Sequence, residues 1–153
     1  MSSTAHEFSP PSSRKIDVLL AHYGESHQNP TNEVIHFIAI PLIVLSLVGL
    51  MFAAHPYIAY AFMAASMVYY ARLSVVFLLS MAVFSAGVLW LVHAMGAQAL
   101  QISGVIFVGA WIAQFVGHKL EGKKPSFFED IQYLWVGPLF VLSKLYEKLG
   151  IRW

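Results

Sequence analysis

Seven histidines stand in a chain whose residues 34–118 carry a single formal charge, Arg72. Imidazole titrates near neutrality and is the commonest metal ligand, so its placement decides which chemistry the chain can hold. His22 and His27 precede the first long apolar run, and His36 lies within its first turns among Val34, Ile35, Phe37 and Ile38. His118 follows Phe115 and Val116 at the end of the last such run. His6 lies near the N-terminus, while His55 and His93 fall in short links. A lone histidine at a membrane interface ordinarily serves as an amphipathic anchor. One surrounded by apolar residues is costly without a partner, which singles out His36 and His118. Three histidines with open positions, or two with Glu121 one helical turn after His118, would hold an Fe(II) that takes substrate and O2 together; zinc, copper and nickel also accept imidazole. Glu121 serves equally well as a partner orienting His118 or as a solvated charge.

Other chemistries lack their residues. The chain has no cysteine, which excludes thiolate metal sites and disulfides. No glycine-rich phosphate loop and no GxSxG motif appear. A net charge of +1 gives no basic stripe for nucleic acid. Histidine-rich di-iron membrane hydroxylases need about eight clustered imidazoles, more than this chain can bring to one face.

The elements that must position these histidines follow from composition. Apolar residues make up 58% and charged ones 11%, against about 25% charged in soluble domains. A small soluble fold exposes too much surface to hide such a stretch, so the middle of the chain is expected in a membrane. A crossing helix needs roughly 20 apolar residues. Residues 36–54, 56–71, 73–92 and 99–116 fit, with the second short and anchored by Tyr57, Tyr69 and Tyr70. The links between them are so short that consecutive helices must be antiparallel neighbours. Ile16, Leu19, Leu20 and Tyr23 predict an interfacial helix within 14–27, and Asn29 with Pro30 predicts an N-cap and first helical position. Ser126 and Glu129 match a capping box, and Gly137-Pro138 is expected to interrupt an apolar segment that ends at Gly150. The fold class expected is therefore all-α: a multipass membrane protein with a compact bundle of four transmembrane helices, an interfacial N-terminal helix and C-terminal re-entrant or interfacial helices. Residues 1–13 read as a disordered Ser/Pro-rich tail and 14–150 as a single integral-membrane domain. Four spans put all nine Lys and Arg residues on one side, which the positive-inside rule makes cytoplasmic, together with both termini.

Two motif groups then match a known pattern. Tyr23, His27, Asn29, Pro30, Asn32 and His36, followed by Ile40-Pro41, make up the first. Trp111, Ile112, Gln114, Phe115, Gly117 and His118, with the segment Glu121 to Pro125 and then Gly137 to Phe140, make up the second. In this order they resemble the 2-hydroxy fatty acid dioxygenase family, formerly a domain of unknown function, over about residues 14–146. The resemblance implies a small multipass enzyme that uses Fe(II) and O2 to shorten 2-hydroxy fatty acids by one carbon. It implies His27, His36 and His118 as catalytic metal ligands, with His22 or Glu121 as further candidates. Lys119, Lys123 and Lys124 are expected to draw the substrate carboxylate, although they serve equally as positive-inside determinants. Gln114 and Asn32, one turn from His118 and His36, share their faces and are expected to bind substrate or to join helices. A bacterial inner membrane is the expected location, or the endoplasmic reticulum in a eukaryote.

The rival classes are a non-enzymatic membrane scaffold or lipid-binding protein with structural histidines, a transporter, and a zinc hydrolase. Iron content, vesicle transport and oxygen uptake separate them.

Overall fold

The computed structural model describes residues 14–25, 28–122 and 135–153. His27, Lys123, Lys124, the expected Ser126/Glu129 capping box and the N-terminal tail lie outside the described residues. Every regular element among those described is helical: α1 (Lys15–Glu25), α2 (Pro30–Ala54), α3 (Pro56–Ala71), α4 (Val75–Met95), a 3₁₀ turn (Gly96–Gln98), α5 (Ala99–Glu121) and α6 (Val136–Leu149).

Local chemistry sets the boundaries. The Asn29 side chain accepts hydrogen bonds from the N–H groups of Thr31 and Asn32, with Pro30 following at the first helical position. His55 alone separates α2 from α3. Its extended backbone ends one helix, and its Nδ1 accepts the Tyr57 N–H at 3.1 Å to begin the next. Gly122 (φ 70°) and Gly150 (φ 71°) end α5 and α6 in the left-handed region, where a side chain would clash. The helices overrun the apolar windows read from sequence. α2 begins at Pro30, as the Asn29–Pro30 signature predicts and ahead of the apolar window at 36, and α5 continues to Glu121, past the window's end at 116. The apolar segment expected to be interrupted at Gly137-Pro138 is described only from Trp135 onward. Gly137-Pro138 occupies the first turn of α6, where the missing proline N–H has no intrahelical partner to lose.

The long helices run antiparallel. Asn29 and Asn32 at the start of α2 bond Glu121 at the end of α5, while Gly49 near the other end of α2 meets Ser103. One apolar cluster, including Val44, Val48, Met63, Val88 and Val92, fills the space between α2, α3 and α4. A second gathers Ile16, Leu20, Tyr70, Phe77, Leu139 and Tyr146 where α1 and α6 cover the α3–α4 turn. Trp135 ties this cover to the bundle, donating its indole N–H to Ser66 Oγ at 2.9 Å and accepting the Tyr70 hydroxyl on its carbonyl at 3.0 Å. Arg14 closes the ends of the fold with a 2.6 Å bond to the Trp153 carbonyl.

The outside is as apolar as the inside. Val34, Ile38, Val83, Trp90, Val105 and Ile112 all point outward. Two stretches, Pro30–Ala54 and Val75–Glu121, are long and apolar enough to cross a membrane, the second interrupted by the 3₁₀ turn. Only 39% and 28% of their apolar windows are buried, whereas a soluble core helix hides most of its apolar surface. At 16 residues α3 is shorter than the usual crossing length.

Candidate functional site: a histidine pair where α2 meets α5

The site begins with a glycine. The buried stripe of α5 reads Ala99, Ser103, Ala110, Gln114 and Gly117, small residues apart from one glutamine, and it faces α2. At Gly117 the two helices approach so closely that a Cβ would collide with Asn32 Oδ1 and come within 3.2 Å of His36 Cε1. Small residues permit this kind of contact between apolar helices, where packing rather than water drives association.

That close approach brings the two histidines together. His36 is 2% exposed, and its Nδ1 lies 2.9 Å from the Asn32 carbonyl. A carbonyl only accepts, so Nδ1 donates the proton in this contact. A backbone carbonyl fixing the tautomer in this way is the usual partner of a metal-binding histidine. The half-buried His118 ring stands edge-on, its centroid 5.7 Å from that of His36. Two imidazoles sharing one ion through bonds near 2.1 Å have centroids within about 6.5 Å of each other, and 5.7 Å lies inside that limit.

Glu121 holds the rim. Its Oε1 accepts the Asn29 backbone N–H and, at 3.0 Å, the Asn32 side-chain amide. The carboxylate thereby caps the N-terminus of α2, where the helix dipole favours negative charge, and locks it to the C-terminus of α5. Asn32 is fully buried, so Glu121→Ala leaves its amide and the Asn29 N–H without this acceptor. The expected loss is about 2 kcal/mol of stability, read from thermal unfolding in detergent. An unchanged midpoint would show that this bridge does not hold the helices.

The other residues read from sequence distribute as follows. Gln114 and Asn32 both lie buried in the α2–α5 seam. Lys119 is exposed on the last turn of α5, and His22 is exposed on α1. Among the described residues no three His, Asp or Glu side chains form a metal-binding group. His27 lies outside that set. Sequence reading did not foresee Gly117 as the point of helix contact, although a glycine next to a histidine in an apolar run was its available signal. It also did not foresee the pair at the opposite end of the bundle, where Tyr60 and His93 Nε2 lie 3.0 Å apart.

Such a molecule is, over the described residues, a small all-helical bundle, largely apolar on its outer surface, with two imidazoles meeting between α2 and α5 at one end. The chain belongs to the family described as 2-hydroxy-palmitic acid dioxygenase Mpo1-like, whose model matches residues 13–149. No curated protein and no solved structure matches it significantly.

Proposed function

We propose that this protein is an Fe(II)-dependent dioxygenase that shortens 2-hydroxy fatty acids by one carbon with O2, at the cytoplasmic face of a membrane. The observation that carries this reading is the meeting of His36 and His118, far apart in sequence, in a chain of this family. His36, His118 and His27 would hold the iron, with His22 or Glu121 as further ligands. Bound there, Fe(II) would supply Lewis-acid and redox chemistry toward oxygen donors.

The chain's own residues do the rest. The Asn32 carbonyl keeps His36 in one tautomer and orientation. Lys119, Lys123 and Lys124 attract the carboxylate to the membrane surface. The substrate's alkyl chain follows the apolar bundle inward, each buried methylene contributing about 0.8 kcal/mol. In this reading α2 to α5 are four spans, both termini and all nine Lys and Arg residues face the cytoplasm, and the membrane is the inner membrane of a bacterium or the endoplasmic reticulum of a eukaryote.

Anaerobic reconstitution with Fe(II), followed by O2 and 2-hydroxypalmitate, tests it. The expected result is iron approaching one ion per chain, oxygen uptake that depends on the 2-hydroxy acid, and a product one carbon shorter. Absence of bound iron favours a scaffold with structural histidines. Turnover with zinc and no oxygen uptake favours hydrolysis.

A further inference from the structure

Gln114 is a buried polar side chain without a hydrogen-bond partner among the described residues. It is 6% exposed, its Oε1 is buried without a hydrogen bond, and among the described residues its side chain makes no hydrogen bond. An unsatisfied buried amide destabilises a fold, and more so in an apolar bundle without water. Asn32 Oδ1 is also unpartnered, but it is pressed against Gly117 too tightly for even a Cβ to enter between them. Gln114 stands three positions before Gly117 on α5.

Its depth is informative. Gly117 on α5 lies opposite Asn32 and His36 on α2, and Ser103 opposite Gly49. This antiparallel register puts Gln114 opposite the turn that follows His36, one helical turn further into the bundle than the histidine pair. A fatty acid entering carboxylate-last would pass its first carbons across that level. A carboxamide offers one acceptor and two donors, and a 2-hydroxy acid presents the complement there: a hydroxyl that donates and an adjacent carboxylate that accepts. An unsubstituted fatty acid has no donor at carbon 2.

We infer that Gln114 recognises the 2-hydroxyl group and thereby selects 2-hydroxy acids over unsubstituted fatty acids. This rests on the dioxygenase reading and assigns the discriminating contact within it. A site built to bond a hydroxyl discriminates strongly against the analogue that lacks it, because its own polar group is then left unpaired.

The test compares binding of 2-hydroxyhexadecanoate and hexadecanoate to the protein as purified in nanodiscs, held anaerobic so that nothing turns over. Wild type is expected to prefer the hydroxylated acid, and Gln114→Leu to lose about 10- to 100-fold of that preference while binding hexadecanoate as before. Gln114→Leu is also expected to unfold at an equal or higher temperature, because it removes an unsatisfied group. Gln114→Met provides a second apolar variant of similar length. Retention of the preference in both variants overturns the inference, and so does absence of a preference in wild type. A lowered unfolding temperature in both variants also overturns it, by showing that the amide serves helix packing. Oxygen uptake by wild type with 2-hydroxyhexadecanoate separately reports whether the dioxygenase reading itself stands.

Discussion

Replacing His118 by alanine is expected to remove bound iron and lower oxygen uptake with 2-hydroxypalmitate by at least about a hundredfold. Changes to groups that merely support a metal ligand already cost 10- to 100-fold, and loss of a ligand should exceed that. The fold should survive. His118 is half-buried at the end of α5, and the helix end is held independently by the Gly122 turn and by the Glu121 bridge to Asn29 and Asn32. Helical circular dichroism and the thermal midpoint should therefore stay near wild type while metal content falls. The converse result, full iron and full uptake without this imidazole, removes His118 from the proposed centre. A parallel His36→Ala variant is less clean, because His36 is nearly fully buried and bonds the Asn32 carbonyl, so its loss mixes a packing defect with any loss of metal.

Gly117→Val should have the largest effect on stability. Any side chain at this position collides with Asn32, and it crowds the His36 ring. Neither neighbour can move freely: Asn32 is bonded to Glu121, and His36 is bonded to the Asn32 carbonyl. Overpacking of a tight contact costs typically about 1–3 kcal/mol, and valine, branched at Cβ, should lie at or beyond the upper end. Gly117→Ala should fall below it. The helices must separate to admit the side chain, which also draws His118 away from His36. Thermal unfolding and iron content should thus decline together along the series Gly, Ala, Val. A valine variant with wild-type stability would mean that α2 and α5 are not in contact at this point.

Some of this architecture was legible in one dimension. The apolar windows located the helices, and the N-cap at Asn29, the first-turn Pro30, the single-residue link at His55 and the stop at Gly150 were all read from local chemistry. These features depend on residues within a few positions of one another, and helix boundaries respond to such local hydrogen-bonding choices. The start of α2 ahead of its apolar window was legible from the Asn29 cap. The run of α5 past residue 116 was not legible from hydropathy, which sees where the apolar run stops while the backbone continues until a cap ends it. Lys119 consequently sits on α5 rather than beside it. Pro138 falls in the first turn of α6, and a proline's effect depends on whether it lies in the first turn or later, which requires knowing where the helix starts.

The residue types at the site were determined by the sequence: two imidazoles set in apolar surroundings, polar amides one turn from each, and a carboxylate after the second histidine. Their arrangement was decided only by tertiary structure. Which face of α5 meets α2, how closely Gly117 allows them to approach, that Glu121 caps the opposite helix and that Gln114 has no hydrogen-bond partner among the described residues all depend on pairs separated by some 80 to 90 positions, such as Asn32 with Glu121. The physical reason is that apolarity is nearly uniform around α2 and α5, so hydropathy alone names no packing face. The contact is selected by shape, where small residues let two backbones come close and where buried polar groups can find each other.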